Sequence, residues 1–342
     1  MLVFNKPGAY GARMQRRELI IFLGGAVAAW PVTVRAQQPQ LMQRIGVLMA
    51  HAENDPEGQV FVAVFRETLQ KRGWAEGRNI RIDIRWAAEV ELMPGFAKEL
   101  IALKPDLILA NNTPTTAAVL KETNTIPIVF AVVADPVGSG FVASLARPGG
   151  NVTGFTLTEP TMMSKWLELL KEIAPQVSRV AFLFNPATTP YRDIYLNPFK
   201  AAAPSLAIQA IPAPVHSASE LESVITAQAR EPNTGLIVMP DGFMNVHRAE
   251  ITSLAGRYHL PAVYPFRFFA ELGGLLCYGN EQRDQFRLAA TYVDRVLRGG
   301  KPSELPVQAP VRFELVINLK TAKALGLTVP RGLLDRADEV IE

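Results

Sequence analysis

DLILANNTPTTAAVLKETNTIPIVFAVV, residues 106–133, reads as strand, helix, strand. Asp106–Ala110 and Pro127–Val133 are short apolar runs of the kind buried on both faces of a parallel sheet. A helical segment over about 114–123 joins them. Outward from this unit the pattern repeats. Arg44–Ala50 (RIGVLMA) is a further buried strand, and Phe61, Val64, Phe65, Thr68 and Leu69 recur at helical spacing up to Arg72-Gly73. Ile80, Ile82, Ile84 and Trp86 alternate as a strand, and a helix is expected over about 89–103. This alternation predicts an α/β fold, a parallel sheet covered by helices on both faces.

Arg147–Gly154 (RPGGNVTG) is a dense run of breakers, after which the alternation restarts. Helices are expected over about 160–173, 192–203, 219–230 and 245–258, and strands over 178–184, 206–211, 235–239 and 261–264. The C-terminal portion offers a strand (Gly274–Tyr278), a helix (about 281–298), a Pro-punctuated linker (301–310), a strand (311–317) and a last helix (319–325). These are too few for a third domain and are expected to complete two lobes. The lobes are assigned as 37–153 plus 267–304 and 154–266 plus 305–342. Crossings near 148–154, 264–268 and 304–311 would then form a three-strand hinge.

The chain has 342 residues, enough for two domains, and 49% of them are hydrophobic, which excludes a disordered chain. Its first 36 residues read as an export signal rather than as fold. Arg16-Arg17 precede the apolar run Leu19–Trp30, and Val34-Arg35-Ala36 offers a cleavage point that leaves Gln37 as the mature N-terminus. The run falls short of the ~20 residues that span a bilayer. A membrane anchor or a buried first helix is the alternative. Met14 is the expected initiator, and the arginine pair leaves both the Sec and the twin-arginine routes open. Residues 1–36 carry five bases (Lys6, Arg13, Arg16, Arg17, Arg35) and one acid (Glu18) out of 35 and 32. The remaining 306 residues hold 30 bases and 31 acids, a net charge of −1, and no nucleic-acid partner is expected.

Chemistry narrows further. A single cysteine, Cys277, excludes an internal disulfide framework, and its apolar strand GLLCYG makes it a buried, inert thiol. His51, His216, His247 and His259 show no metal-ligand spacing, so no metal and no cofactor is expected. Gly138–Ala143 matches G-x-G-x-x-A after a strand and ahead of a helix, but it does not open the first strand–helix unit. The acidic residue that fingerprint requires ~20 positions on falls in a loop. A Gly-rich loop leading into a helix is the plainer reading. No phosphate loop and no nucleophile elbow occurs, and enzyme readings are left without a residue set.

A binding reading has more support. Ligands of parallel α/β sheets sit beyond the carboxyl ends of strands, where loops and helix N-termini converge. Those loops here carry His51, Asn112-Thr113-Pro114-Thr115, Asp135, Asn185, and Asp241-Gly242-Phe243. Tyr264 and Tyr278 close their own strands. Thr113 with Pro114 in the first turn presents the positive end of a helix, suited to an anionic group. Asp135 suits an ammonium group, and the two tyrosines suit a planar ligand. Each residue alone has a structural explanation; together they place polar and aromatic groups on both edges of an inter-lobe cleft.

Several stretches carry a resemblance: RRELIIFLGGAVAAWPVTVRAQQ (16–38), IPIVFAVVADPVGSGFVASLARPGGNVTGFT (126–156), LFNPAT (183–188), YHLPAVYPFRFF (258–269) and FELVINLKTAKALGLTVP (313–330). From about residue 16 to the C-terminus the chain resembles the exported substrate-binding proteins of ABC transporters. The similarity is to the branch that includes tryptophan- and tyrosine-binding members. The resemblance implies a two-lobed type I periplasmic-binding fold, no catalysis, and closure of the lobes on a small ligand. It also implies delivery to a membrane permease driven by a separate ATPase, with the carrier a periplasmic monomer. The expected ligand is an amino acid, aromatic or branched, or a related carboxylate. In that reading Thr113 and Thr115 hold the carboxylate, Asp135 or Asp241 the ammonium, and Tyr264, Phe243 or Tyr278 cover the side chain. Family members often carry Gly or Ser where Asn111-Asn112 stand here, so the anion-side contact is expected to differ. A sensory ligand-binding component and an exported α/β enzyme are the rival classes; a sugar-repressor core would need an N-terminal helix-turn-helix where this chain has its signal.

Overall fold

Five apolar segments pair side by side in the N-terminal half: β1 (Gln43–Met49), β2 (Ile80–Trp86), β3 (Leu107–Asn111), β4 (Ile128–Val133) and β5 (Val152–Thr156). The computed structural model describes residues 42–157 and 161–342; the expected export signal, with Met14 and the cleavage point at Ala36, lies outside them. All pairs in this sheet are parallel and the strand order is β2-β1-β3-β4-β5. Strands β3, β4 and β5 are buried throughout, as continuous apolar strands covered on both faces must be. Successive residues of a strand point to opposite faces. Leu48, Ile108 and Phe130 therefore pack with the helices Met93–Ala102 and Thr113–Glu122, while Val47, Leu109 and Val129 face the helix Pro56–Lys71.

The second sheet holds β6 (Arg179–Phe184), β7 (Gln209–Pro214), β8 (Thr234–Val238), β9 (Ala262–Tyr264), β10 (Leu276–Gly279), β11 (Glu314–Asn318) and β12 (Glu339–Ile341). Their order is β12-β11-β10-β9-β8-β6-β7, and β10 with β11 is its antiparallel pair. Phe182, Leu236 and Val263 line its core, and Trp166, from the helix Met162–Ile173, donates its ring N–H to the Tyr278 carbonyl at 2.7 Å.

Two expectations are corrected. Val152–Thr156 pairs with β4 and so belongs to the first sheet, and β10 pairs with β9 and so belongs to the second. The lobe boundaries at 153/154 and 266/267 therefore move. The chain crosses between sheets after β5, between β10 and the helix Gln282–Leu297, and between Gln308 and β11. That helix lies on the first sheet, where Phe286 stacks on Phe61 at 4.9 Å. Leu305–Gln308 stays there too, with Thr153 Oγ1 donating to the Leu305 carbonyl at 2.6 Å and Val307 N to the Leu145 carbonyl at 2.7 Å. The second correction concerns Gly138–Ala143, which leads into no helix. Residues 134–151 hold neither helix nor strand, because Pro136, Pro148 and the positive φ of Asp135, Gly140 and Gly149 break any repeat.

Gly279 ends β10 at the second crossing, where a Cβ would overlap the Pro265 carbonyl oxygen. Gly279→Ala should therefore destabilise the protein by about 1–3 kcal/mol in urea melts. Gly95, inside a helix with nothing near its Cβ position, provides the opposite control. Gly95→Ala should stabilise by up to about 1 kcal/mol.

Candidate functional site

In each sheet the strand order reverses at one strand. β1 lies between β2 and β3, and β6 between β7 and β8, so the loops leaving β1 and β3, or β6 and β8, diverge to opposite faces and leave a crevice. The four loops meet. Around a cavity of 20 Å³ lie His51 and Asn112 from the first sheet, Asp241 and Asn245 from the second, and Gln282 from the second crossing. A groove of 570 Å³ adjoins it, walled by Met93, Pro114, Phe141, Pro190 and Ile194, with Asp135, Lys121 and Asp193 among its polar groups. Tyr191 borders both spaces.

Asn111 fastens the two strand ends together by accepting from Ala50 N at 3.2 Å. Asn112 follows at φ 79°, in the left-handed region that Asn tolerates, and caps the helix Thr113–Glu122 by accepting from Thr115 N at 3.1 Å. A Cβ on Gly242 would lie 3.1 Å from Asn112 Nδ2, so glycine lets the second lobe approach. Val132 on the cavity wall has φ 63°, an unfavourable value for a β-branched residue. It is held by Gln285, whose Oε1 accepts from Val132 N at 3.0 Å while Nε2 donates to the Leu157 carbonyl at 3.3 Å.

Asp241 is 3% exposed and caps a short helical turn. Its Oδ1 accepts from Met244 N at 2.9 Å and Thr188 Oγ1 at 3.1 Å, and its Oδ2 from Asn185 N at 3.4 Å. Burial pushes its carboxyl up to about 7, against the opposing pull of these hydrogen bonds. Burial, with the nearby Asp241 charge, likewise pushes the Tyr191 phenol well above its ordinary range. Three buried polar atoms on the cavity wall have no hydrogen-bond partner: His51 Nδ1, Asn245 Oδ1 and Gln282 Nε2. Such atoms cost free energy unless something binds them.

Of the residues expected from sequence, His51, Asn112 and Asp241 border the small cavity, and Thr113 and Asp135 the groove. The Thr113 hydroxyl is already engaged, accepting from Ala134 N at 3.0 Å. Thr115 Oγ1 donates to the Asn111 carbonyl, and Asn185 Oδ1 accepts from Ala187 N at 2.8 Å. These are internal bonds, and Thr115 and Asn185 line neither space. Phe243 packs on His247 at 4.4 Å, Tyr264 stacks on Phe269 at 5.0 Å inside the core, and Tyr278 lies 6.2 Å from Phe313. None of the three borders the cavity or the groove, so the structure does not bring them to the cleft. Tyr191, Asn245, Phe266 and Gln282 do border the small cavity and were not anticipated. Tyr191 ends the loop NPATTPY that Asn185 opens. Gln282 carries no sequence signal, since only the path of the crossing brings it here.

Among the described residues no cluster of His, Cys, Asp and Glu could hold a metal, and no helix is long and apolar enough to cross a membrane. Similar proteins point one way. A tyrosine-binding protein of Clostridioides difficile (strain R20291) is 26% identical over 83% of this chain and 80% of its own length. A Streptococcus pneumoniae ABC domain in complex with L-Trp superposes with a TM-score of 0.80 at 25% identity, covering 87% of this chain and 99% of that one. A conserved domain protein of Vibrio cholerae gives 0.81 at 26% identity with the same coverage. The relatives of known role are binding proteins and not enzymes. Residues 54–341 match the ABC transporter substrate binding protein family, and the chain belongs to it.

Proposed function

We propose that this protein captures an amino acid with an aromatic or branched side chain in the inter-lobe cleft and delivers it, outside the cytoplasm, to the permease of an ABC importer. The observation that carries this reading is the set of buried polar atoms without hydrogen-bond partners, contributed by both lobes and the crossing, around a cavity that shares Tyr191 with an apolar groove. The cavity is about one water molecule in size and takes one polar group of the ligand, and the groove has room for a side chain. The tyrosine-binding relative and the L-Trp complex support an aromatic amino acid. The signal-like residues 1–36 support export.

The residues divide by chemistry. Gln282 Nε2 and the Asn112 amide are donors for a carboxylate, replacing the engaged hydroxyls of Thr113 and Thr115 in that role. Asn245 Oδ1 and the Asp241 carboxylate are acceptors for an ammonium group. Tyr191, shared by both spaces, covers the start of the side chain. Asp135 lines the groove and not the small cavity, and partners a polar tip on the ligand rather than its ammonium.

A thermal-shift screen of the amino acids on the chain from Gln37 onward tests this. L-tryptophan or L-tyrosine should raise Tm by about 5 °C at a concentration roughly 100-fold above Kd. Tyr191→Ala should weaken that binding by about tenfold or more. A screen in which no amino acid moves Tm would sink the reading. Asp241 gives a pH test. Its folded value of about 7 lies above its ordinary 3.8, so the folded state holds this proton more tightly than the unfolded one. The ligand-free protein should therefore lose stability as pH rises from about 4 to 7, and the loss is complete above that window. Asp241→Asn keeps the Oδ1 bonds and should flatten this slope in urea melts at pH 5 and pH 8. An equal slope in both proteins contradicts the assignment.

A further inference from the structure

Asp55 and Arg248 stand on opposite sides of the cleft. Asp55 caps the helix Pro56–Lys71 of the first lobe, accepting from Glu57 N at 2.8 Å and Gly58 N at 3.2 Å. Arg248 opens the helix Arg248–Arg257 of the second, directly after the cavity loop. The guanidinium meets the carboxylate in a two-pronged pair, NH1 to Oδ2 at 2.8 Å and NH2 to Oδ1 at 3.0 Å, with side chains 12% and 9% exposed. It is the one salt bridge that joins the two lobes among the described residues. The same NH1 donates to the carbonyl of Asn245 at 2.8 Å, and the guanidinium lies over the Phe268 ring at 5.5 Å. Burial works to raise the Asp55 carboxyl, but His51 and Arg248 outweigh it and hold the group well below the usual carboxylate range.

We propose that the Asp55–Arg248 pair is the closure latch of this cleft, and that Arg248 is a positioning residue: it ties the lobes together and at the same time fixes the short helical turn that carries Asn245 against the ligand. The inference rests on the cleft being the ligand site. The latch works through a difference between states. When the lobes part, both ions return to water and neither needs the other. When they close, each is nearly dry, and removing one leaves its partner buried without its counter-charge, with only its neutral contacts and, for Asp55, the nearby His51. Losing either side chain's charge therefore penalises the closed form and leaves the open form nearly untouched. A ligand enters the open form and is retained by the closed one, so the latch acts on departure rather than arrival.

Two variants separate the latch from a folding role. Asp55→Asn preserves the helix cap at Oδ1, since Asn caps as well as Asp, and removes the charge together with the Oδ2 acceptor of Arg248 NH1. Arg248→Met keeps much of the length and loses both ionic bonds. With L-tryptophan or L-tyrosine as the probe in stopped-flow binding, each variant should raise the dissociation rate by about tenfold or more, with association changed by no more than about threefold. The double variant should be less impaired than the two single effects combined, because it leaves no buried charge alone. Unchanged dissociation in Asp55→Asn overturns the latch, whatever Arg248→Met does to folding. If the wild-type chain binds neither probe, the proposed ligand class fails, and the latch is then read without ligand. Labels at Lys98→Cys and Lys200→Cys, both exposed and one on each lobe, report the cleft width while Cys277 stays buried. Asp55→Asn must shift the ligand-free distance distribution toward longer values, and an identical distribution refutes the latch.

Discussion

The position of the cleft depends on one topological constraint, the reversal of strand order at β1 and at β6. Loops on either side of such a strand must leave toward opposite faces of the sheet, so a crevice opens where they part. The loops at these two points carry His51, Asn112 and Asp241, and Asn245 and Tyr191 come close behind. Because both sheets present their carboxyl edges to the same space, polar side chains from distant parts of the chain converge without any local sequence pattern requiring it.

Convergence has an energetic cost that the fold carries. Val132 is held in the left-handed region beside the cavity, and Asp241 is buried with a carboxyl raised to about 7. His51 Nδ1, Asn245 Oδ1 and Gln282 Nε2 lack hydrogen-bond partners, although His51 Nδ1 faces Asp55 Oδ2 at 3.8 Å. Sites of binding are where such strain and unsatisfied polarity accumulate, because a ligand supplies what the chain withholds. Gln285 illustrates the opposing requirement. It is fully bonded, to Val132 N and the Leu157 carbonyl, and so braces the strained strand end against the first crossing. Rigid bracing beside unfilled polarity is what a preformed binding site needs.

Much of the fold was legible in the sequence because buried parallel strands are continuous apolar runs, as at DLILA and PIVFAVV, and such runs survive without tertiary context. Sheet membership was less legible. The breaker run Arg147–Gly154 marks a loop, yet the strand that emerges from it returns to the first sheet, since a loop signal says nothing about which edge the next strand joins. The site divides the same way. His51, Asn112 and Asp241 come after strands beside a reversal point, and the strand-end rule found them. Tyr264 ends β9 and Tyr278 is the last residue but one of β10, yet their rings pack on Phe269 and Phe313 within the second lobe, while Phe266 and Gln282, just beyond those strands, reach the cavity. A strand-end position in the sequence does not say which way its side chain packs. Gln282 is reached only through the path of a crossing.

The proposed binding mode places the head group of an amino acid among the buried polar atoms of both lobes. A crystal structure of the chain grown with L-tryptophan or L-tyrosine tests that placement most directly. Ligand density is expected with its carboxylate or ammonium atoms in hydrogen-bond range of Gln282 and Asn245, and its side chain running past Tyr191 into the groove. Density for the amino acid at any other place, with the His51, Asn245 and Gln282 atoms still unpaired, would contradict it.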